Sequence, residues 1–460
     1  MPVFPRRVKG NFRTMKWWIL AATLGIYYVT PWLRWDRGPN LPDQAVLIDM
    51  SGRRFFFFMI EIWPHEFYFV AGLLIMAGLG LFLFTSALGR VWCGYACPQT
   101  VWTDLFILVE RWIEGDRNAR VRLHRQTWDG EKVRKRLVKW TVWLLIALGT
   151  GGAWVFYFTD APTLAVDLVQ GTAHPAAYIT MGLLTATTFV FGGFAREQIC
   201  IYACPWPRIQ AAMVDEETLT IGYRDWRGEP RGKQSAEGNG DCIDCMACVN
   251  VCPQRIDIRD GQQLACITCG LCIDACNDVM AKIDKPLHLI GYLALTDEVR
   301  ERAGQSPKSI WAHVFRPRTV MYTVLWAGVG VGLVVALFLR SPIDINVTPV
   351  RNPTFVTLSD GSIRNAYDMR LRNKSGEDKE FSVAVTSENP LALTLEGREG
   401  LAVTVPANET MTQRVYLTAA AGSAAAVDDR SAARLWVEEV GRTNRASHET
   451  IFNGKEAGDE

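Results

Sequence analysis

Several sequence features that mark common classes of redox and nucleotide-binding proteins are absent from this chain of 460 residues. It has no C-x-x-C-H haem attachment motif, no Walker loop and no Rossmann glycine fingerprint, so haem c, nucleotide and NAD sites are not indicated. No Met-rich copper-binding tract occurs either. All 12 cysteines lie between Cys93 and Cys276, which leaves the last 184 residues without any. This distribution argues against a disulfide framework and is typical of cysteines on a reducing side of a membrane, followed by an exported part.

Net charge is also nearly absent, at only +1, although Lys and Arg are sharply segregated along the chain. Long apolar runs predict five membrane spans, at residues 17–35, 67–89, 138–158, 176–194 and 319–339. The first run resembles a signal peptide. It is interpreted as a retained span because the run is long and lacks a small-residue cleavage site.

The positive-inside rule orients these spans. The segment from Arg111 to Lys139 contains ten Lys and Arg residues, which are interpreted as a topology signal or an anionic-lipid contact rather than a nucleic-acid site. The N-terminus, this segment and residues 195–318 are therefore expected in the cytoplasm. Loops 36–66 and 159–175 are expected outside. Five spans then place the C-terminal domain outside, which is the periplasm in a cell with two membranes, and the expected location is the bacterial inner (cytoplasmic) membrane.

The run C-x2-C-x2-C-x3-C occurs twice between residues 242 and 276. This is the spacing of bacterial ferredoxins that hold two [4Fe-4S] clusters, in which the fourth cysteine of each run binds the other cluster. Structural zinc is the rival interpretation, but zinc needs four ligands per site and rarely shows three cysteines spaced in this way. Two [4Fe-4S] clusters are thus the predicted cofactors, one on Cys242, Cys245, Cys248 and Cys276 and the other on Cys266, Cys269, Cys272 and Cys252.

A second repeat, C-x-Y-A-C-P, follows the second and fourth predicted spans, so the membrane part has the pattern of a duplicated hairpin. Both copies should lie at the cytoplasmic end of the bilayer. Helical spacing would put both sulfurs of a pair on one face, whereas the proline favours an extended second cysteine, and the sequence leaves both geometries open. The candidate catalytic and copper-binding residues are Cys93, Cys97, Cys200 and Cys204.

The chemistry of these four cysteines also has more than one interpretation. Soft thiolates suit Cu(I) or an iron–sulfur centre, and a close pair can cycle between dithiol and disulfide. The plain alternative is that they are small buried residues at a helix end. His65 and His174, at matched external span ends, suggest either an outer metal or quinol site or two interfacial histidines. The other four histidines show no ligand spacing.

The chain changes character after residue 343. Short segments of alternating hydrophobicity predict an antiparallel immunoglobulin-like sandwich, with strands at residues 343–350, 363–372, 380–385, 401–405, 412–417 and 434–439. Residues 419–427 are expected to form a small-residue loop, and the acidic tail to be disordered.

The predicted fold class is a multidomain membrane protein. It combines a five-span α-helical membrane domain, a cytoplasmic ferredoxin domain with two [4Fe-4S] clusters, and a C-terminal all-β immunoglobulin-like sandwich. The predicted divisions are a basic N-terminus at 1–16, a four-span membrane domain at 17–215, a linker at 216–240, the ferredoxin-like domain at 241–290, a connector at 291–318, the fifth span at 319–339 and the sandwich at 343–452.

Taken together, the spans, the two C-x3-C-P motifs and the double ferredoxin run resemble the CcoG/FixG/RdxA family of accessory proteins for cbb3-type cytochrome c oxidase. The resemblance covers essentially the whole chain. It implies electron transfer through the clusters and reduction of Cu(II) to Cu(I) for the copper centre of that oxidase, with copper as substrate or transient ligand. One departure is the pair Gln254 and Arg255, where relatives tend to carry a small residue and Gly.

Three functions remain open on the sequence. The first is a cupric reductase-type oxidoreductase, the second a quinol-linked polyferredoxin electron carrier, and the third a non-catalytic assembly scaffold for the oxidase. The implied partners are membrane lipid, subunits of cbb3-type cytochrome c oxidase or copper chaperones, and an unidentified cytoplasmic electron donor. A homo-oligomer is compatible with the sequence, and nucleic acid is not expected.

Overall fold

The computed structural model describes the chain apart from residues 1–2, 39–40, 233–237, 341–342, 375–376, 408, 443 and 456–460 and the side chain of His65. The chain separates into two compact units, one formed by Met1–Trp35 and Gln44–Leu333, the other by Asp36–Asp43 and Val334–Glu460. The first unit contains every cysteine, and the second contains the predicted sandwich.

The first unit is mainly helical. The α-helices of the described residues up to the last predicted span are Asn11–Val29, Tyr68–Leu88, Val91–Tyr95, Pro98–Glu114, Arg117–Arg125, Gly130–Val155, Ala161–Gln170, Pro175–Val190, Arg196–Gln198, Trp206–Met213, Asp225–Gly228, Ala247–Val251, Leu271–Lys282, Leu295–Arg302, Ile310–Val314 and Pro317–Phe338. Short 3-10 helices lie at Thr30–Trp32, Pro64–Glu66 and Ile258–Asp260.

Four helical segments are long and apolar enough to cross a membrane: Tyr68–Leu88, Gly130–Val155, Pro175–Ala203 and Pro317–Phe338. They correspond to the second to fifth predicted spans. The first predicted span, residues 17–35, instead overlaps the helix Asn11–Val29, whose first turns bury Arg13 and Lys16. Both cations pair with the buried Asp104, at 2.9 and 3.4 Å. This helix therefore has a polar start, and it is not one of the four.

The fourth predicted span is longer than the sequence indicates. It continues past residue 194 to Ala203 through two π-helical stretches, Phe191–Ala195 and Ile199–Ala203. Glycines allow this packing, since a Cβ on Gly193 would lie 2.9 Å from the ring of Trp143. π-helical turns are rare and occur often at functional sites. The extension places the start of the second C-x3-C-P motif inside the helix rather than after it.

The helix Pro98–Glu114 packs against the helix Gly130–Val155 and against the π-helical stretch Phe191–Ala195. Phe106 on this helix stacks on Trp143, with ring centroids 5.2 Å apart. The same helix buries the carboxylates of Asp104, Glu110 and Glu114. Because each of these acids meets cations from other segments, ion pairs rather than apolar contact alone fix the surroundings of this helix.

Two small sheets complete the first unit. Strands Val46–Asp49, Arg54–Phe57 and Ile60–Ile62 form an antiparallel sheet in the predicted external loop. Strand Thr220–Tyr223, which precedes the ferredoxin run in the sequence, pairs with strand Ile290–Leu293, which follows it. The range predicted as a linker, residues 216–240, therefore contains a strand and the short helix Asp225–Gly228. This range was predicted as a linker because it is rich in Gly and charged residues. The strand was missed because pairing with a distant segment stabilises it.

The second unit is a sandwich of two antiparallel sheets, as predicted. One sheet has the order Ala392–Leu395, Thr410–Ala419, Ile363–Asn373 and Ile343–Pro349, with Val356–Thr357 also pairing with Ile363–Asn373, and the other has the order Ala402–Val405, Lys379–Ser387, Arg430–Glu439 and Arg445–Asn453.

Inward-facing side chains of both sheets build one core, which includes Tyr367, Leu435 and Phe452. Strands 356–357, 392–395 and 445–453 are additions to the predicted set, and the predicted small-residue loop contains the short helix Ala424–Val427. The end of the acidic tail, residues 456–460, lies outside the described residues.

Candidate iron–sulfur and four-cysteine site

The two ferredoxin loops share one backbone conformation. In the first cysteine loop, residues 242–248, Asp244 and Met246 have positive φ angles of 53° and 56°. In the second cysteine loop, residues 266–272, the matching Thr268 and Gly270 have φ angles of 52° and 72°. Left-handed non-glycine residues are uncommon, and turns of this kind gather backbone N–H groups into concavities that bind anions and Fe–S centres. The repeat in sequence is thus also a repeat in shape.

The helix Leu271–Lys282 carries Cys276 back to the first cysteine loop. Cys242, Cys245 and Cys248 all lie close enough to act electrostatically on Cys276. Burial is the main cause that raises the pKa of Cys276 to about 12, and it raises the pKa of Cys248 to about 11. Cys245 alone in this group is exposed. These four cysteines therefore form one group, which is exposed to solvent at Cys245.

The short helix Ala247–Val251 places Cys252 beside the second cysteine loop. Cys266 and Cys269 act electrostatically on Cys252, and all three act on Cys272. These four residues line one cavity whose other walls are mostly isoleucine and leucine side chains. Burial is again the main cause that raises the pKa values of Cys252 and Cys266, to about 12 and about 11.

The chemistry of both groups fits iron–sulfur clusters. Thiols in such dry surroundings resist deprotonation unless a bound metal offsets the thiolate charge. A cubane separates its thiolates with iron and sulfide and so suits a group of four cysteines.

The two C-x3-C-P motifs have the same local backbone. Cys97 and Cys204 are extended, with ψ angles of 129° and 127°, as a following proline favours. In each copy the amide of the second cysteine donates to the carbonyl five residues earlier, Cys97 to Trp92 at 3.0 Å and Cys204 to Ile199 at 2.8 Å. Each motif therefore bends the chain from one helix into the next, which is the second of the two geometries left open by the sequence.

The two motifs converge in the structure. Cys97 and Cys204 lie within electrostatic range of Cys93, and all three lie within range of Cys200. Each of the four is partly buried. The structure thus brings together Cys93, Cys97, Cys200 and Cys204, which are called the four-cysteine site below.

Arg90 and Gln210 connect Cys93 to its surroundings. The thiol of Cys93 donates to Gln210 Oε1 at 3.1 Å, and the same oxygen accepts from Arg90 Nε at 3.4 Å. Arg90 Nη1 also donates to the carbonyl of Cys266 at 3.1 Å. Burial raises the pKa of Cys93, whereas Arg90 acts in the opposite direction. Neither Arg90 nor Gln210 belongs to a recognisable motif, so their role is visible only in the structure.

The first C-x3-C-P motif packs directly against the second cysteine loop. A Cβ on Gly94 would lie 2.5 Å from the carbonyl oxygen of Ile267 and 3.1 Å from the Cα of Cys269. Backbone atoms cannot give way by that much, so glycine is required there. The hydroxyl of the neighbouring Tyr95 donates to the carbonyl of Cys269 at 3.0 Å. The four-cysteine site and the second cysteine loop are therefore in contact.

The side chains of His174 and His313 have structural partners. His174 caps the helix Pro175–Val190, its Nδ1 accepting from the amide of Ala176 at 3.2 Å, and the side chain of His65 lies outside the described residues. His313, which the sequence did not single out, is buried between two carboxylates, 2.6 Å from Asp297 and 2.8 Å from Glu217. It fixes the connector that precedes the last candidate span.

Three family profiles match the chain. A 4Fe-4S dicluster domain matches residues 195–294, a 4Fe-4S binding domain matches residues 69–116, and the IG-like fold at the C-terminal of FixG matches residues 333–455. The first range includes both cysteine loops together with the second C-x3-C-P motif. The predictions of ferredoxin-type iron–sulfur domains and of an immunoglobulin-like C-terminal domain are confirmed.

Relatives cover nearly the whole chain. Protein RdxB of Cereibacter sphaeroides is 74% identical over 459 residues, which cover 99% of this chain and 96% of RdxB. Nitrogen fixation protein FixG of Rhizobium meliloti is 50% identical over 485 residues, covering 98% and 92% of the two chains. Ferredoxin-type protein NapH of Haemophilus influenzae is 25% identical over 213 residues, covering 44% and 64%. The four apolar helices, the 4Fe-4S domains and these identities agree with the resemblance seen in the motifs, and the chain belongs to the FixG/RdxA family of membrane iron–sulfur redox proteins.

Proposed function

We propose that this protein is a membrane-bound oxidoreductase that reduces Cu(II) to Cu(I) at the four-cysteine site, during maturation of cbb3-type cytochrome c oxidase. The observation that carries the proposal is the contact of Gly94 and Tyr95 with the backbone around Cys269. It puts four thiols, a donor set that soft metal ions prefer, directly beside a ferredoxin-type loop. The oxidase is suggested by the family resemblance.

The cluster ligands are part of the same proposal. One [4Fe-4S] cluster would be held by Cys242, Cys245, Cys248 and Cys276, and the other by Cys266, Cys269, Cys272 and Cys252. The electrostatic neighbours of Cys276 and Cys272 support this crossed assignment. When bound, a [4Fe-4S] cluster accepts or releases one electron at a time, which matches the single electron that converts Cu(II) to Cu(I).

The four-cysteine site binds and orients the copper substrate. Thiolates stabilise Cu(I) more than Cu(II), so reduction yields the ion that the site holds better. Copper displaces protons from the thiols on binding. Arg90 assists this step at Cys93, because its positive charge favours the thiolate against the burial that raises the pKa of Cys93.

The electron donor is proposed to approach at the first cysteine loop. Cys245 is the exposed cysteine of the chain, and the neighbouring Met246 is 38% exposed. The second cysteine loop faces the four-cysteine site instead. Entry and exit of the electron would thus lie on different sides of the ferredoxin region, with a cytoplasmic donor of unknown identity at the exposed side.

The proposed topology has five spans, with the helix Asn11–Val29 as the first. The N-terminus and the ferredoxin region are cytoplasmic, and the C-terminal sandwich is periplasmic, where it could contact oxidase subunits or a copper chaperone. Alkaline phosphatase fused within residues 36–66 or after residue 455 should be active, and the same enzyme fused near residue 125 should be inactive. Inactivity of the fusion within 36–66 would show that the N-terminal helix does not cross.

Copper reduction can be tested on the purified protein. After anaerobic purification and dithionite reduction, addition of Cu(II) should reoxidise the clusters, followed by visible absorption, and should yield Cu(I) in equal electron amounts. The variants Cys97→Ala and Cys204→Ala should lose this reaction and keep the cluster spectra. Thr187→Ala serves as the control, because it removes a hydroxyl from the same helical segment that contains Cys200 and should leave the reaction unchanged. Reduced protein that Cu(II) leaves unchanged would overturn the proposal, and loss of both clusters in the cysteine variants would show that these cysteines are structural.

Similarity to a ferredoxin-type protein supports a second candidate function, a quinol-linked polyferredoxin electron carrier. The match to NapH covers 44% of this chain. Quinol-dependent reduction of the clusters in membrane vesicles, with no effect of added or chelated copper, would favour this function over copper reduction.

A further inference from the structure

A cavity of about 360 Å³ lies at the ends of two candidate membrane spans. Arg136 and Lys139 line it from the start of the helix Gly130–Val155, and Arg196 lines it from the segment Pro175–Ala203. None of the 12 cysteines lines this cavity. No cluster ligand and no cysteine of the four-cysteine site lines it, although Arg196 and Glu197 also line a small neighbouring cavity with Cys200.

The wall of the cavity holds more cations than carboxylates. The charged lining residues are the cations Arg136, Lys139 and Arg196 and the carboxylates Glu110 and Glu197, an excess of one positive charge. Behind them, Arg120 pairs with Glu110, and both Arg136 and Lys139 pair with Glu114. Buried charges of one sign are costly without a partner, so an anion in the cavity would stabilise the whole group.

Two further observations show how strongly positive this region is. Arg120 is fully buried, and its Nε and Nη1 have no hydrogen-bond partner in the part of the chain that the structure describes. Its guanidinium lies over Phe4, 5.0 Å from the ring centroid, and Phe4 is one wall of the cavity. Burial, Arg136 and Lys132 all lower the pKa of His124, which also lines the cavity.

The other walls of the cavity are aromatic. Trp140, Trp143 and Phe194 line it beside the cations, and Phe194 is 54% exposed on the outer surface. Trp side chains near the ends of spans are enriched at the level of the lipid headgroups, and Trp140 is half-buried at this position, whereas Trp143 is buried and stacks on Phe106. A cavity with cations inside and an aromatic rim at that level suits a molecule that carries both a phosphate and an acyl chain. Basic pockets between membrane helices on the cytoplasmic side bind anionic headgroups in this way.

We propose that this cavity binds the phosphate headgroup of an anionic phospholipid, with Arg136, Lys139 and Arg196 as its charged contacts. Arg supplies the forked donors that match phosphate oxygens, and Lys adds a point charge. The bound lipid would hold together the start of the helix Gly130–Val155, the end of the segment Pro175–Ala203 and the helix Pro98–Glu114. The last of these follows the first C-x3-C-P motif. The site does not depend on copper reduction.

The full-length protein in detergent micelles provides the test. Phosphatidylglycerol, phosphatidylethanolamine or inorganic phosphate is titrated in, while the unfolding temperature and the bound lipid in native mass spectra are measured. Phosphatidylglycerol should raise the unfolding temperature and remain bound, and the other two additives should do neither. Each cation near an anionic headgroup contributes about 1 kcal/mol, so Arg136→Gln should weaken phosphatidylglycerol binding about fivefold.

Two further variants keep the test decisive if Arg136→Gln folds poorly. Glu197→Gln removes a carboxylate from the lining and should strengthen binding by a similar factor, a gain that misfolding cannot mimic. Arg122→Gln removes an exposed cation of the same basic segment that does not line the cavity, and it should leave binding unchanged. Equal stabilisation by phosphatidylethanolamine or by inorganic phosphate, or equal weakening by Arg122→Gln and Arg136→Gln, would overturn the proposal.

Discussion

The two C-x3-C-P motifs share their sequence pattern and their local backbone, yet they lie in different surroundings. Tyr95 in the first copy is 3% exposed and bonds to the carbonyl of Cys269, whereas Tyr202 at the matching position is 82% exposed. Gly94 touches the second cysteine loop, and its counterpart Ile201 is 36% exposed. Duplication thus produced two similar thiol pairs, of which the first alone is joined to the ferredoxin region through the tyrosine of the motif.

The second copy is held by charge. Arg196, four residues before Cys200, forms a two-pronged ion pair with Glu110 at 2.7 and 3.1 Å. Arg318 reaches Asp215, beyond the helix Trp206–Met213 that follows the second motif, at 2.8 Å, and Arg316 contacts the same carboxylate. Packing and side-chain hydrogen bonds to backbone carbonyls hold the first copy, and ion pairs hold the second, so different substitutions and conditions should loosen each copy.

The largest effect is expected at Glu110, the carboxylate that anchors the second copy. Glu110→Gln leaves Arg196 and Arg120 buried without their counter-ion, which should lower the free energy of unfolding by about 3–5 kcal/mol. Thermal unfolding in detergent measures the loss. Glu131→Gln removes an exposed carboxylate whose partner is Lys135 and should cost under about 0.5 kcal/mol. Similar losses in both variants would contradict an ionic anchor at Glu110.

Gly94→Ala should break the first copy selectively. The new methyl group meets the backbone of Ile267 and Cys269, and overpacking of this kind costs about 1–3 kcal/mol. The second cysteine loop must shift, so iron and acid-labile sulfide per protein should fall toward half. Ile201→Ala, the matched change in the second copy, should leave both contents unchanged. Full cluster content in Gly94→Ala would show that the loop tolerates displacement.

A smaller difference is expected between the two tyrosines. Tyr95→Phe removes one buried hydrogen bond to Cys269 and should lower the free energy of unfolding by about 1 kcal/mol. Tyr202→Phe removes an exposed hydroxyl, for which no such loss is expected. Chemical unfolding of the two variants side by side gives the comparison, and equal losses would remove the distinction between the copies.

The smallest effect concerns pH. Burial alone would raise the pKa of Asp215, but Arg316, Arg318 and Thr218 lower it to about 2 from its ordinary value of 3.8. The resulting stability is fully present above the unfolded pKa and is lost as pH falls toward 2. Partial exposure limits it to below about 1 kcal/mol. Asp215→Asn should flatten the acid loss of stability between pH 4 and pH 2, and an unchanged profile would mean that the pair contributes nothing.

Much of the fold follows from local pattern. Four of the five predicted apolar runs correspond to helices long and apolar enough to cross a membrane, alternating hydrophobicity predicted the C-terminal sandwich, and cysteine spacing predicted the iron–sulfur domains. Each of these patterns repeats every few residues, so a short stretch of the sequence is enough to recognise it. The π-helical extension to Ala203 was missed because local composition hardly distinguishes π from α turns.

The parts of the site that could not be predicted depend on distant residues. Arg90 and Gln210 reach Cys93 from positions 120 residues apart, and Lys16 reaches Asp104 from another helix. Such contacts leave no periodic pattern in the sequence. An isolated Arg or Lys in the sequence would therefore be interpreted as a solvent-exposed charge. The assignment of individual cysteines to clusters or to copper stays a prediction, supported by their grouping in space.

The strand pair Thr220–Tyr223 and Ile290–Leu293 has a practical consequence. Because Thr220 pairs with Leu293 across an antiparallel ladder, the polypeptide enters and leaves the ferredoxin region at one point, with backbones about 5 Å apart. A segment whose ends meet in this way can be exchanged for another by domain insertion. The ferredoxin region is in this sense a cassette, and cassettes of different reduction potential could be fitted to the same membrane helices.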